Sequence, residues 1–142
     1  MADLQISRTF TADPDTVFRA VSDPAFLCQW WGHDGMTLEA DPLDFTRLGP
    51  WSTTLTGSDG GRYKMSGQVT HVTPGQSVGF TWAWHDDEDI RGAESHVTFT
   101  VSATETGARL VLTHRDLATM EAAQSHTRGW LSTLGKLDAF IG

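Results

Sequence analysis

Hydrophobic and polar positions along this chain change period several times, dividing it into a strand, short helices, a run of strands and a long helix. Gln5 to Thr11 reads as a first strand, with Ile6 and Phe10 as its apolar members. Asp13-Pro14 and Asp23-Pro24 each open a short helix. The aspartate can accept from an otherwise unpaired N–H of the first turn, and proline suits a position whose N–H has no helical partner. Val17, Phe18 and Val21 fall on one side of the first helix; the second runs toward Trp30-Trp31 and stops at Gly32.

The middle of the chain alternates. Tyr63, Met65, Gly67 and Val69 share one face, and Arg62, Lys64, Ser66, Gln68 and Thr70 the other, the pattern of a strand with one wet side. Pro74-Gly75 is a turn signal. Val78, Phe80, Trp82 and Trp84 then alternate with Gly79, Thr81 and Ala83, while Val97, Phe99 and Val101, and later Leu110 and Leu112, repeat the pattern. This spacing predicts an antiparallel meander of residues 62–72, 76–84, 95–103 and 108–115, the last strand ending near His114. From Met120 onward the period lengthens: Ala123, Thr127, Trp130, Leu134, Leu137 and Ile141 lie on one helical stripe. Thr119 is the expected cap of a helix over residues 119–141, up to about 22 residues or roughly 33 Å long. Gly129 and Gly135 weaken it by roughly 1 kcal/mol each relative to Ala, and both suit close approach of another backbone.

Length and composition narrow the class. The 142 residues fit one domain over 1–142, which can bury roughly 70% of its unfolded surface without a disulfide or a metal. A net charge of -8, with 10 Lys and Arg and no basic run, argues against nucleic acid and against anionic membrane surfaces. One cysteine, Cys28, excludes an internal disulfide and fits a reducing compartment. The first residues carry no apolar run of the kind a signal peptide needs, and no segment reaches the roughly 20 apolar residues of a membrane helix, so the expected location is the cytoplasm. The unusual count is 6 Trp; such rings suit sites where an apolar body is buried and an N–H must find a partner.

Several local signatures then coincide: Phe10-Thr11-Ala12-Asp13-Pro14, Val17-Phe18, Trp30-Trp31-Gly32, Gly67-Gln68-Val69, Phe80-Thr81-Trp82, Leu110-Val111-Leu112-Thr113-His114 and Gly129-Trp130. In this order they resemble the START-like, birch-pollen-allergen-like (SRPBCC) superfamily. The branch they resemble is that of the C-terminal domain of the activator of the heat-shock protein 90 ATPase (AHSA-type). The resemblance covers nearly the whole chain. It implies an α+β helix-grip fold: a curved antiparallel sheet wrapped around a long C-terminal helix, with two short helices after the first strand. It also implies a hydrophobic cavity for a ligand between sheet and helix. One departure stands out. The branch carries a Gly-Gly pair before the second meander strand, where this chain has Arg47-Leu48-Gly49-Pro50-Trp51. Pro50 cannot donate a ladder hydrogen bond, so that strand either starts later or lies at an edge.

The inward positions define the expected ligand-binding set: Trp31, Trp51, Tyr63, Met65, Trp82, Trp84, Phe99, Leu112, Trp130 and Leu134, with His114 at the end of its strand as a polar anchor. Ordinary core packing is the competing account for each of them. Tyr63 and His71 share the parity of the buried face and, with His114, are the candidates for acid–base work; satisfied histidines at strand ends are the plainer alternative. His33, His71, His85, His96, His114 and His126 form no His-x-x-x-His pair, so no metal and no cofactor is expected. His85 with Asp86, Asp87, Glu88 and Asp89 reads as a solvated loop of mutually repelling charges. No phosphate loop, Gly-x-Ser-x-Gly elbow or Cys-His nucleophile pattern is present.

Three functions follow in order. The first is binding of a small hydrophobic or aromatic molecule in a Trp-lined cavity. The second is an enzyme, cyclase- or hydrolase-like, using that same cavity through His114 or Tyr63. The third, from the resemblance, is a chaperone-associated stress-response interaction domain, with a protein partner or a homodimer. The third is weakened because a separate chaperone-binding module does not fit into 142 residues.

Overall fold

A computed structural model describes residues 2–31, 37–39, 43–57 and 59–141. Strand β1 (Ala2–Phe10) is followed by helices α1 (Pro14–Ala20) and α2 (Pro24–Trp30). Strands β2 (Thr37–Glu39), β3 (Gly49–Thr56), β4 (Arg62–Thr73), β5 (Ser77–Trp84), β6 (Ser95–Ala103) and β7 (Ala108–Leu117) come next, and helix α3 (Met120–Ile141) closes the chain. The strands form one sheet in the order β1-β7-β6-β5-β4-β3-β2, with every neighbouring pair antiparallel. The α+β helix-grip architecture expected from the sequence is the one found.

Local chemistry sets the element boundaries. Asp13 accepts from the N–H of Thr16 at 2.7 Å, and Asp23 from that of Ala25 at 2.9 Å. Both carboxylates therefore cap a first turn that proline has already fixed in φ. Helix α2 ends at Trp30, whose indole N–H reaches the Ala20 carbonyl at 2.7 Å and ties the two helices together. Gly32, the expected stop, lies outside the described residues. Strand β1 begins earlier than Gln5 because Ala2 pairs with Leu117 across an irregularity in register. Pro50 lies inside β3, opposite Gln68, but β2 covers only Thr54–Thr56 of that strand. Among the described residues the stretch around Pro50 is therefore an edge, where a missing N–H costs no ladder bond. On α3, Thr119 Oγ1 accepts from the N–H of Ala122 at 3.0 Å, the cap expected of it.

The concave side of the sheet is filled by rings. Trp31 sits at the centre, with ring centroids 5.7 Å from both Phe45 and Trp130 and 6.3 Å from Phe80. Phe45 stacks on Phe80 at 4.2 Å. Gly67 is required at its position: a β-carbon there would collide with the Thr81 carbonyl, which accepts the Trp51 indole N–H at 3.0 Å. Trp51 lies directly opposite Gly67 in the β3–β4 register, so the absent side chain lets the indole reach across.

Two expectations of burial fail. The register of β4 against β5 slips by one residue between Val69 and His71. Beyond that bulge the parity of β4 reverses, so His71 leaves the buried face and packs over Gly79 in an exposed position. Tyr63 keeps the parity of Met65 but lies past the region that α3 covers. Its ring rests beside Gly57 and Gly61 and stays 39% exposed. Gly135 also departs from expectation: it is exposed, with open space where a side chain would stand, so no backbone approaches it.

Candidate functional site

Between the concave face of the sheet and the first half of α3 lies a cavity of about 100 Å³. Leu55, Met65 and Trp82 rise from the sheet, Trp31 enters from the end of α2, and Gly129, Trp130 and Thr133 face them from α3. Ser125, His126 and the 40%-exposed Trp84 stand at its mouth. An engineered cavity of about 150 Å³ holds benzene, so the enclosed space here takes one small ring at most. Anything larger must rest at the mouth, against Trp84 and His126, whose rings both abut that of Trp82, at 4.5 and 4.7 Å. The walls are mainly apolar. Trp82 donates its indole N–H to the Met65 sulfur at 3.2 Å, and a thioether is a weak acceptor. Thr133 spends its hydroxyl proton on the Gly129 carbonyl at 2.8 Å. On the same face of β3, Thr53 keeps a buried hydroxyl with no hydrogen-bond partner among the described residues.

Beside the cavity, His114 is fully buried in a directed chain. Trp130 donates to His114 Nδ1 at 3.0 Å, so that nitrogen carries no proton. Nε2 therefore carries it and donates to Ser95 Oγ at 2.7 Å; Ser95 in turn donates to the Trp82 carbonyl at 3.3 Å. Burial pushes the His114 pKa down to about 3, with the nearby His126 and His96 adding to the effect. A neutral imidazole with both nitrogens engaged cannot take a proton from a substrate. The plainer account of His114, a satisfied histidine, is therefore the one its surroundings support, and it stands behind the cavity wall rather than in it.

The expected set thus divides. Trp31, Met65, Trp82, Trp84 and Trp130 converge on the cavity. Trp51, Phe99, Leu112 and Leu134 are buried in the core beside it. Tyr63 lies elsewhere. Leu55, His126 and Thr133 were not foreseen. His126 and Thr133 lie four residues before and three after Trp130, on the same helical face, so the stripe itself could have exposed them. Leu55 follows Trp51 in alternation and was hidden by the proline that obscures β3.

The acidic loop is solvated as expected, with Asp86, Asp87, Glu88 and Asp89 exposed, but its charges are also tied down. Asp86 accepts from the N–H groups of Glu88 and Ile90, both at 2.9 Å, and His85 forms a bridge to Arg91. Asp89, with φ of 64°, turns its carboxylate onto His85 Nδ1 at 2.8 Å and Lys64 Nζ at 2.9 Å. The hydrogen bonds from Lys64 and His85 hold the Asp89 carboxyl below its ordinary pKa. Among the described residues no group of three or more His, Cys, Asp or Glu is placed to hold a metal ion, and no helix is long and apolar enough to cross a membrane.

The comparisons with known proteins agree with this geometry. The AHSA1 protein of Silicibacter pomeroyi is 55% identical over 99% of this chain and 97% of its own, with a TM-score of 0.94. A protein of Chromobacterium violaceum, 20% identical over 99% of this chain and 98% of its own, has a TM-score of 0.87. One from Arthrobacter aurescens, 20% identical over 98% and 85%, has a TM-score of 0.81; at such identities the likeness is one of fold. No curated protein matches the sequence. The family described as Activator of Hsp90 ATPase homolog 1-like protein matches residues 11–142, and with a core, helix and sheet of this form the chain belongs to that family.

Proposed function

We propose that this protein, as a single domain over residues 1–142, binds a small aromatic molecule, one ring entering the cavity and the remainder lying at the mouth against Trp84 and His126. The observation that carries the reading is the cavity lining: buried indoles around a space of about 100 Å³, one of them with its N–H on nothing better than a thioether. A ligand hydroxyl or carbonyl beside Trp82 would give that N–H a stronger acceptor. The fold of this family typically accommodates hydrophobic ligands, which supports the same reading. Burying one ring gains about 2–3 kcal/mol before the costs of association. A gain of that size corresponds to dissociation constants of roughly 6–30 mM for one-ring compounds, with tighter binding where a second ring rests at the mouth. Acid–base chemistry in this cavity has little support, because His114 is locked neutral and Tyr63, though opposite Leu55 in register, does not line it.

The test is a titration of phenol, indole and 2-naphthol against tryptophan emission and thermal shift. Gly129 is buried against the cavity, so Gly129→Leu should fill it and abolish the signal. Gly135→Ala, on the exposed side of the same helix, should leave it intact. If no compound moves either readout, or if Gly129→Leu binds as well as the parent, the binding reading fails and a protein partner becomes the leading alternative.

A further inference from the structure

On the opposite face of the sheet a different cluster is assembled. Ser66 points away from Met65, outward from β4. Its hydroxyl meets His85 Nε2 at 2.6 Å, and His85 Nδ1 meets Asp89 Oδ1 at 2.8 Å. The carboxylate accepts, so Nδ1 carries the proton, Nε2 is bare, and the serine hydroxyl donates to it. Arg91 Nε donates to the same Ser66 oxygen at 2.9 Å, while its Nη2 holds the Ser66 carbonyl at 2.9 Å and its Nη1 meets Glu94 at 3.2 Å. The bridge between His85 and Arg91 and the Asp86 turn fix these groups relative to β4. A groove of about 480 Å³ opens beside them, with Ser66, Gly67, Gln68, Arg91 and Glu94 in its lining.

We propose that Ser66, His85 and Asp89 form a nucleophile relay that cleaves a small neutral or cationic ester seated in the groove beside Arg91. The geometry has the three parts such chemistry needs: a hydroxyl on a base, the base oriented by a carboxylate, and room beside the hydroxyl for a substrate. Ser66 Oγ attacks the ester carbonyl and its proton passes to His85 Nε2. As the tetrahedral intermediate collapses, the bond to the alcohol oxygen breaks and Nε2 returns that proton to the leaving alcohol. Water then attacks the acyl-serine, giving its proton to Nε2; Ser66 recovers it as the carboxylic acid departs. Negative charge grows on the ester carbonyl oxygen, and the Arg91 guanidinium in the groove lining is the cation that can stabilise it there. Asp89 acts through His85 and is a positioning residue. Glu94 and the net charge of -8 repel anionic substrates, which sets the substrate's charge class.

Other serine–histidine pairs supply internal controls. Ser77 meets His71 Nε2 at 3.1 Å on the surface, and Ser95 meets His114 in the core. Among the described residues only the Ser66 pair has a carboxylate on the far nitrogen of its ring. The experiment treats the full chain with a fluorophosphonate and with 4-nitrophenyl acetate, followed by intact mass, peptide mapping and steady-state kinetics. One phosphonyl adduct on Ser66 is expected, with ester turnover above the buffer rate; Ser66→Ala removes both. His85→Gln should slow labelling at least about 100-fold. Asp89→Asn should lower kcat with KM unchanged and the melting temperature retained, which loss of a merely structural contact would not do. Ser77→Ala and Gly135→Ala, both outside the cluster, should label at the parent rate. No adduct, an adduct only on Lys64 or another residue, or labelling of Ser66 that survives both His85→Gln and Asp89→Asn overturns the proposal.

Discussion

Ser95–His114 and Ser66–His85 are built alike and placed oppositely. In each pair the serine lies 19 residues before the histidine and reaches it diagonally across neighbouring antiparallel strands, at 2.7 Å inside and 2.6 Å outside. The difference lies in what meets the second ring nitrogen. Inside, it is the Trp130 indole, a donor, which forces the proton onto Nε2 and turns the histidine into a spacer between an indole and a hydroxyl. Outside, it is the Asp89 carboxylate, an acceptor, which places the proton on Nδ1 and turns Nε2 toward the serine as a base. The same two side chains thus hold a core together on one face and present a nucleophile on the other. One neighbouring residue and the loss or retention of water decide which.

The sharpest way to break the inner chain is Trp130→Ala. It removes an indole from the centre of the aromatic core and leaves His114 Nδ1 without its donor. A loss of about 3–5 kcal/mol in urea unfolding is expected; a loss under about 1 kcal/mol would mean the chain carries little of the fold.

Acid titration tests the inner histidine next. The native His114 pKa of about 3 lies below the ordinary value of 6.5, so between these values the unfolded chain binds a proton that the folded chain refuses. The stabilisation is fully present above pH 6.5 and drains away as pH falls toward about 3, at up to roughly 1.4 kcal/mol per pH unit. Stability curves at pH 7, 6, 5 and 4 should show this slope, and His114→Phe should remove most of it. An unchanged slope in His114→Phe would assign the acid sensitivity to other groups.

Smaller effects test the outer face and the helix. Gly135→Ala should stabilise by up to about 1 kcal/mol, since the residue is helical, exposed and has open space for a methyl group; destabilisation would mean something packs on that side. Ser66→Ala should change stability by less than about 1 kcal/mol while removing fluorophosphonate labelling. A large stability loss there would reassign the outer cluster to structure.

Much of this contrast was within reach of local reasoning. Alternation alone put Met65 inward and Ser66 outward, and Val97, Phe99 and Val101 on the inward face of their strand. The two Asp-Pro starts, the meander and the closing helix were all visible, because strand and helix periods are written into the positions of apolar side chains. Three things were not. The bulge after Val69 changes no residue type, yet it turns His71 out of the buried face. Tyr63 has the right parity at the far end of its strand, where its ring stays 39% exposed. And the acidic stretch from His85 to Asp89 looked like mutual repulsion until Lys64 and the His85 ring were set against Asp89.

The sequence by itself determined β1, the two short helices, strands β4 to β7 and the closing helix, with their order and the family. Each of these depends on neighbours within a few residues or on a repeating period. Tertiary structure alone decided which nitrogen of each histidine holds its proton, how little space the indoles leave between sheet and helix, and which serine meets a carboxylate-backed base. Those depend on the register between strands and on the seating of α3, contacts between residues far apart in the chain that no local pattern encodes.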